Sequence, residues 1–481
     1  MKRIALILSI LLLLLFSCTD NAINPSSFND KTWEGIFLQY WNVMNEDYVH
    51  FSRNDLDWDN VYNKYLQLFK ALDYNKQSDS LKAFSYFKEI ANNVNDFHYS
   101  LSVKDNFGSI LSFRPSLEYK YRERTGNSSE SFPSILNVSN NEVISFMDIN
   151  GTEMSKETAL SYYEAAIEGY SEVDELDTAF HSGNTPFKYI IEGDLSQIDP
   201  LLVDSNWINF LDDLGIEDFR FFFGLTNERV AYFYISQFPS VNALTLNGKT
   251  KLYESSESYK ALDPFQKAAF DEFSMKLSAV VFDELMPIGA EDKALNINTN
   301  KAEDVKGMVL DLRSNGGGNL SFIECIVGCF ISSEKTIGKT RYKAGYDRYD
   351  YTPWIDMTIK SSFNTYPKKD YQNRFAVILN GASVSSSEVT AIALKESLPN
   401  VKIVGTKSYG ATCALTDRNL FQSGPYVNEG KTLSIYTTTF QFKTNDGTMY
   451  ESVGITPDLE IKDKTKTEDK SFIEAIRWVS L

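Results

Sequence analysis

An α/β fold with a largely parallel sheet is the fold class that the sequence predicts, and two observations support it. Short apolar runs alternate with helical patterns from about residue 206 to the end of the chain. A glycine-rich loop and a serine-rich loop each follow such a run and precede a helix. This βαβ alternation is typical of a parallel sheet flanked by helices. The clearest predicted elements are strand Gly307–Leu312, helix Leu320–Phe330, strand Phe375–Leu379, helix Ser386–Leu398 and strand Val401–Val404.

Residues 28–105 are predicted to form an N-terminal helical region. Aromatic and apolar residues recur there at helical spacing in three stretches, and polar Asp and Asn residues separate the stretches. The stretches run from Trp33 to Met44, from Trp58 to Phe69 and from Phe84 to Val94. We interpret these stripes as a core between helices.

Two further segments complete the predicted organisation. Residues 106–205 have a mixed pattern and are expected to form an insert domain, whereas residues 206–481 are expected to form the α/β domain. The other elements expected in these two segments are a strand at Glu142–Ile149 before an Asn150-Gly151 turn, a helix at 156–169, a strand at Val230–Ile235, a helix starting at Asp263-Pro264, a polar insert at 296–304 and a terminal hairpin in which Leu433–Phe442 meets an Asp446-Gly447 turn.

The composition excludes some classes of partner. The chain has 481 residues and a net charge of −18, so a nucleic-acid backbone is not an expected partner. No spacing of His or Cys is typical of a zinc site, and we expect neither a metal nor a cofactor. The cysteines Cys325, Cys329 and Cys413 do not form a disulfide framework, and the first two are interpreted as buried free thiols.

The N-terminus is typical of an export signal. A basic pair precedes the apolar run Ile4–Phe16, which is too short to span a membrane. Ser17 and Cys18 follow, and a cysteine after a small residue at this place resembles a bacterial lipoprotein box.

We therefore predict a lipoprotein signal peptide at 1–18 and a tether at 19–27. Lipidation of Cys18 would anchor an exported protein to the outer membrane, on its periplasmic or surface side. A plain secretory signal is the alternative.

Two predicted loops have complementary chemistry. The loop Asp311–Gly318 contains three consecutive glycines, whose N–H groups can approach a ligand at a helix N-terminus. The loop Asn380–Glu388 contains four serines at the carboxyl end of a strand, where open α/β sheets place their sites. Acyl transfer needs a nucleophile and donors for the oxyanion that forms, and these two loops could supply both.

Each of these features also has a purely structural interpretation. Ser385-x-x-Glu388 before an apolar helix is a capping box, and the glycine loop could be a tight turn. A phosphate loop is disfavoured because the glycine spacing fits neither standard pattern. His98 follows the third helical stripe and is the candidate base, although a lone histidine is commonly structural. His50 and His181 have no comparable context.

The motifs together resemble the C-terminal-processing (tail-specific) serine peptidases and their tricorn-like relatives. Asp311–Gly318 is similar to the signature loop of that family, and Ser385–Glu388 is similar to its nucleophile run. The resemblance covers residues from about 85 to 462 and implies that residues 206–481 form a serine peptidase catalytic domain with a core of the ClpP/crotonase-like type. The other matching segments are Val404–Gly410, the closing G-I-x-P-D element within Glu451–Asp458, and the D-x-H motif Asp96–His98.

One departure from the family pattern selects a branch. The tail-specific branch uses a Ser–Lys dyad, and Ala411 stands where its lysine would be. Lys407 lies four residues upstream and is not expected to reach the site. The tricorn-like branch uses a histidine base and a glutamate, which this chain supplies as His98 and Glu451.

The resemblance implies a catalytic triad. Ser385 would be the nucleophile, His98 the base and later the acid, and Glu451 the group that orients the base. The backbone N–H groups of Gly317 and Ser386 would form the oxyanion hole.

A second departure concerns the contact within this triad. The tricorn protease has a serine directly before the histidine, whereas this chain has Phe97. Glu451 would therefore contact His98 directly or through another polar group such as Ser100.

Many members of the family carry a PDZ domain at the position of residues 106–205. Val143–Gly151 is similar to a hairpin of such domains, but their glycine-rich carboxylate-binding loop is not evident, so this segment is PDZ-like or another insert. The function implied is that of a lipid-anchored serine endopeptidase acting on unfolded or C-terminal polypeptide segments. Because of Ala411, the alternative is a catalytically inactive lipoprotein that binds peptides and keeps the peptidase fold.

Overall fold

The computed structural model describes residues 28–53, 56–127, 134–139, 142–147, 153–166, 187–194, 220–236, 238, 244–246, 250–252, 293–296, 301–318, 320–361, 369–413, 424, 426–461 and 469–481. The helices are α1 (Trp33–Asp47), α2 (Trp58–Lys70), α3 (Gln77–Ala91), α4 (Pro115–Thr125), α5 (Lys156–Ala166), α6 (Ser321–Gly328), α7 (Ser386–Ser397) and α8 (Lys470–Ser480). The strands are β1 (Ser100–Lys104), β2 (Ile110–Phe113), β3 (Ser134–Ser139), β4 (Glu142–Met147), β5 (Glu153–Met154), β6 (Phe187–Asp194), β7 (Arg220–Thr226), β8 (Val230–Ile235), β9 (Leu244–Leu246), β10 (Thr250–Leu252), β11 (Lys293–Asn296), β12 (Lys301–Asp304), β13 (Gly307–Asp311), β14 (Lys335–Tyr342), β15 (Ile355–Ile359), β16 (Arg374–Leu379), β17 (Val401–Gly405), β18 (Tyr426–Val427), β19 (Leu433–Tyr436), β20 (Phe440–Lys443) and β21 (Leu459–Glu460).

The N-terminal helical region has the three helices that the sequence predicts. The side chain of Thr32 accepts the N–H of Gly35 and so caps α1. The indole N–H of Trp41 donates to the carbonyl of Trp58 (2.8 Å), and the indole N–H of Trp58 donates to the carbonyl of Trp41 (3.0 Å). These paired bonds join α1 to α2 beside a core of buried aromatic rings.

The main sheet is largely parallel, as predicted, and has the strand order β21-β17-β16-β13-β8-β7-β6. Five neighbouring strands, β21 to β8, run parallel, and β7 and β6 complete one edge in antiparallel orientation. Every residue of β13 is buried, and fully burying one such apolar side chain stabilises the fold by roughly 1.5–3 kcal/mol.

The register of this sheet brings the chemistry-bearing loops together. Asp311 at the end of β13 pairs with Ile378 of β16 and with Tyr234 of β8. Leu379 pairs with Gly405 at the end of β17. Four loops therefore leave the sheet side by side at its carboxyl edge, where α/β folds build their sites.

A second sheet contains strands from distant parts of the chain, in the order β18-β19-β1-β2-β3-β4-β5. Ser100 at the start of β1 pairs with Tyr436 at the end of β19. This pairing places the turn before β1, which contains His98, beside the residues that follow β19.

The predicted terminal hairpin is wrong. The run Leu433–Phe442 forms two strands that lie in different sheets, because β19 pairs with β1 whereas β20 pairs with β14. The residues between them, Thr437–Thr439, redirect the chain, and alternation alone does not reveal such a change of sheet. The chain then ends in helix α8, which packs on the main sheet.

Several predictions concern residues outside the described ranges. They include the signal peptide, the tether, Cys18, the helix start at Asp263 and the third histidine, His181. The description of 106–205 as PDZ-like stays a prediction. Within the described residues, no helix is both long and apolar enough to cross a bilayer.

Candidate active site

Ser385 lies between β16 and α7, in a backbone conformation that residues other than glycine rarely adopt. Its φ is +59° and its ψ is −119°, and it is the N-cap of α7. It forms the predicted capping box with Glu388, in which the Ser385 N–H donates to Oε2 at 3.1 Å. An unfavourable φ of this kind costs roughly 1–3 kcal/mol and is common at functional sites.

The four serines of this loop differ in what surrounds their hydroxyls. Ser383 donates to the carbonyl of Leu312, Ser386 donates to that of Gly318, and Ser387 donates to Asn315. These three serines are fully buried, whereas Ser385 is half-buried. Three hydroxyls therefore hold the two loops together, and Ser385 is the serine that a substrate can reach.

Gly317, one of the two residues predicted to form the oxyanion hole, lies against Ser385. Its φ is +92°, and a Cβ at this position would lie 2.7 Å from the Ser385 Cβ. However, the Gly317 N–H donates to Asn315 Oδ1 at 2.8 Å, so it can serve an oxyanion only after that bond breaks. Ser386 is the first residue of α7, and an N–H at this position has no partner within its helix.

Asn315 is a buried residue to which our sequence analysis assigned no role. Its side chain amide donates to the carbonyl of Ile235 at 2.8 Å, and its Oδ1 accepts from Gly317 and from the Ser387 hydroxyl. It therefore joins the end of β8, the glycine loop and the serine loop.

Glu388 has a larger role than the predicted cap. Its carboxylate is fully buried and accepts from the N–H groups of Ser385, Gly410 and Ala411 and from the Ser408 hydroxyl. Burial raises the pKa of Glu388, and these donors act in the opposite direction. The carboxylate thus fixes the loop after β17 against the serine loop Asn380–Glu388.

His98 and Glu451 lie close together. The structure brings one ring nitrogen of His98 and one carboxylate oxygen each of Glu451 and Asp96 within 4.8 Å of one another. Glu451 is fully buried, its Oε1 accepts the Phe97 N–H at 3.0 Å, and its Oε2 accepts the Cys413 N–H at 2.8 Å. Phe97, which stands where the tricorn protease has a serine, thus contacts Glu451 through its backbone N–H.

The electrostatics of this group are dominated by burial. Burial, together with a smaller effect of the nearby charge of Arg114, lowers the pKa of His98 to about 4. His98 Nδ1 is buried and has no hydrogen-bond partner among the described residues. Burial and then the charge of Asp96 raise the pKa of Glu451 to about 8, and burial also raises the pKa of Asp96. A neutral imidazole therefore faces two buried carboxyl groups.

An apolar cluster connects the surroundings of His98 with those of Ser385. We call it the Phe97 cluster, since buried Phe97, Tyr409 and Ala411 pack there with partly buried Ala382 and Val384. The residue before His98 and the residue before Ser385 thus belong to one cluster.

The lysines near this cluster occupy different environments. Lys407 pairs with Glu123 at 3.7 Å, and both side chains are about half exposed. Lys120 of α4, which our sequence analysis did not single out, lies over the rings of Tyr409 (4.7 Å) and Phe97 (5.1 Å). Burial lowers the pKa of Lys120 to about 8.

Comparisons with known sequences agree with these motifs. Residues 282–461 match peptidase family S41, and residues 29–76 match the tricorn protease C1 domain. A carboxy-terminal-processing protease of Bartonella bacilliformis is 27% identical over 171 residues, which are 35% of this chain and 34% of that protein. The carboxy-terminal processing protease CtpB of Bacillus subtilis is 27% identical over 173 residues, 36% of this chain and 31% of that protein. The chain thus spans about a third of the length of these curated relatives.

Solved structures share the fold. A candidate peptidase from Parabacteroides merdae has a TM-score of 0.50 at 16% identity, over 93% of this chain and 96% of that chain. Mature CPAF has a TM-score of 0.51 at 10% identity, over 94% of this chain and 96% of that chain. These likenesses confirm the predicted α/β fold class.

Proposed function

We propose that this protein is a serine endopeptidase with Ser385 as its nucleophile, because residues 282–461 match peptidase family S41. The observation that supports this most is that Ser385 is the one half-buried serine in Asn380–Glu388, whereas the hydroxyls of Ser383, Ser386 and Ser387 are buried and donate hydrogen bonds within the fold. The substrates proposed are unfolded or C-terminal segments of polypeptides.

The proposed reaction forms and then hydrolyses an acyl-enzyme. Ser385 Oγ bonds to the carbonyl carbon while its proton passes to His98, and the oxyanion accepts the Ser386 N–H at the N-terminus of α7. The C–N bond then breaks, and His98 returns the proton to the leaving amine. Water attacks the ester, gives a proton to His98 and displaces Ser385, which regains its proton.

His98 suits the role of base because its low pKa keeps the imidazole neutral at pH 7. On accepting the proton the ring becomes a cation, which is stabilised by the negative charge of the buried carboxyl pair, Asp96 and Glu451, beside it. Glu451 is therefore proposed as the positioning residue of the triad.

The first prediction concerns labelling by an alkyl fluorophosphonate. Ser385→Ala abolishes labelling and cleavage of an unfolded protein, and His98→Ala slows labelling by a factor on the order of 10²–10⁴. In the wild type, the labelling rate falls as the pH drops through about 4, because His98 becomes protonated there. Mass spectrometry of the labelled peptide measures each rate.

Lys120→Met and Lys407→Met are the matched controls, and both should label like the wild type. If His98→Ala labels normally and Lys120→Met does not, Lys120 is the base instead. If the folded wild type neither labels nor cleaves but still binds peptides, the protein is a non-catalytic binding lipoprotein.

We also propose that Cys18 carries a lipid that anchors the exported protein to the outer membrane, on its periplasmic or surface side. The proposal follows from the basic pair, the short apolar run and the cysteine behind it.

A further inference from the structure

His50, which our sequence analysis set aside, lies in a chain of hydrogen bonds that ends at the active site. The residue is fully buried, and its Nε2 is 2.8 Å from the hydroxyl of Thr438. Its Nδ1 is 3.3 Å from Nη1 of Arg53. The Thr438 hydroxyl is in turn 3.1 Å from Oδ2 of Asp96, one of the two carboxyl groups beside His98.

The direction of each of these hydrogen bonds follows from the groups involved. A guanidinium can only donate, so His50 Nδ1 accepts and the ring proton lies on Nε2. The Nε2–H therefore donates to the Thr438 oxygen, and the hydroxyl hydrogen of Thr438 is left to donate to Asp96. Burial and the charge of Arg53 lower the pKa of His50 well below its usual range, which agrees with a neutral ring.

The carboxyl groups of Asp96 and Glu451 accept different numbers of hydrogen bonds. Asp96 accepts the N–H of His98 at 2.8 Å, and it accepts both the N–H and the hydroxyl of Thr438 at 3.1 Å. Glu451 accepts one backbone N–H on each oxygen, from Phe97 and from Cys413. Hydrogen bonds to a carboxylate favour its ionised form, and two adjacent buried carboxylates do not both ionise readily.

We propose that Asp96 is the ionised carboxylate of the active site, that Glu451 is its protonated neighbour, and that Thr438 and His50 are positioning residues that hold the charge on Asp96. This inference rests on the proposed function, in which His98 is the base. Asp96 then supplies the negative charge that stabilises the imidazolium, and Glu451 holds the imidazole ring in its orientation. The pKa of about 8 for Glu451 agrees with this assignment. The titratable and charged groups around the pair are Arg53, His50, His98, Tyr99, Tyr409, Cys413 and, beyond His98, Arg114.

Kinetics of conservative variants test the proposal. Asp96→Asn should lower the rate of fluorophosphonate labelling at least about 100-fold, because it removes the charge that stabilises the imidazolium. Glu451→Gln should lower it less than about tenfold, since glutamine resembles a protonated glutamate. Near-normal labelling in Asp96→Asn together with loss of labelling in Glu451→Gln would overturn the assignment.

A second pair of variants tests the positioning residue. Thr438→Val removes a hydrogen-bond donor to the Asp96 carboxylate and so raises the pKa of Asp96. Because the active form needs Asp96 ionised, the acid limb of the labelling profile should shift to higher pH. Thr438→Ser keeps the hydroxyl and should restore the wild-type profile, a rescue that a packing role for the threonine methyl would not produce. Equal profiles for Thr438→Val and the wild type would contradict the role of Thr438.

Isotope-edited infrared spectroscopy at pH 7 gives a readout that does not need activity. A protonated carboxyl band should shift when glutamate carries ¹³C in its carboxyl group and should be absent in Glu451→Gln, a control needed because Glu388 is also buried. If the band instead shifts with ¹³C-labelled aspartate, the inference fails even when the enzyme is active. If the band follows glutamate but the wild type does not label, the proposed function fails and the charge assignment stands.

Discussion

Gly317 shows at the scale of one residue how closely the two loops approach each other. Its backbone occupies a left-handed conformation, and the space where a Cβ would point is filled by Ser385 and by the carbonyl of Val384. Gly316 next to it is exposed, and a Cβ there would have no heavy atom within 4 Å. A side chain at position 317 would therefore clash with the serine loop, whereas one at position 316 would not.

The residue-scale prediction compares these neighbours. Gly317→Ala should destabilise the fold by roughly 1–3 kcal/mol, from the unfavourable φ and the clash with Ser385, and should slow labelling at least about tenfold. Gly316→Ala should change the free energy of unfolding by less than about 0.5 kcal/mol and leave labelling intact. Urea unfolding and labelling rates measure both effects, and equal behaviour of the two variants would contradict the described packing.

At the scale of elements, the site depends on contacts between segments that are far apart in the chain. Glu388 joins α7 to the loop after β17 through hydrogen bonds from Ser385, Gly410 and Ala411. The Ser452 hydroxyl donates to the carbonyl of Asn95 at 3.0 Å and so joins the closing motif to the turn before His98. The positions of Ser385 and His98 are thus set by loops that form hydrogen bonds with one another.

The element-scale prediction is that Glu388→Gln separates the two loops. In the wild type, N–H groups donate to both carboxylate oxygens of Glu388, and glutamine replaces one of these oxygens with an NH₂ group that cannot accept. This loss should lower the free energy of unfolding by roughly 1–3 kcal/mol and slow labelling. Glu396→Gln, on the exposed side of the same helix, should have little effect. Hydrogen exchange should rise at residues 408–411 in Glu388→Gln alone. Unchanged exchange there would contradict the proposal that Glu388 holds the two loops together.

At the scale of the whole molecule, the charge of the chain limits how it can associate with a membrane. A net charge of −18 is repelled by anionic lipid surfaces, so electrostatic attachment is disfavoured and association with a membrane would require another anchor. Cys18 in its lipoprotein-like context is the residue proposed to carry that anchor.

The corresponding prediction uses Cys18→Ser in cells fed a clickable fatty acid. The wild type should carry the label and fractionate with the outer membrane, whereas the variant should carry no label. A soluble wild type cleaved after its signal, without lipid, would instead support a plain secretory signal.

Some features of this protein follow from the sequence by itself. The strands β13, β16 and β17 and the helices α6 and α7 were predictable because apolar β-branched runs, glycine loops and capping residues act locally, whereas β14 and β15 were not predicted. Ser385, His98 and Glu451 were identifiable as candidates because each lies in a motif whose order along the chain resembles the peptidase family.

Other features depend on contacts between distant residues, which a local pattern does not encode. The separation of β19 from β20 follows from pairing with β1 and β14. The roles of Asn315 and Glu388 follow from buried polar atoms that must find partners across loops. The relation of His50 to Asp96 spans Thr438, almost 400 residues away from His50, and only the folding of both ends of the chain into one region brings these groups together.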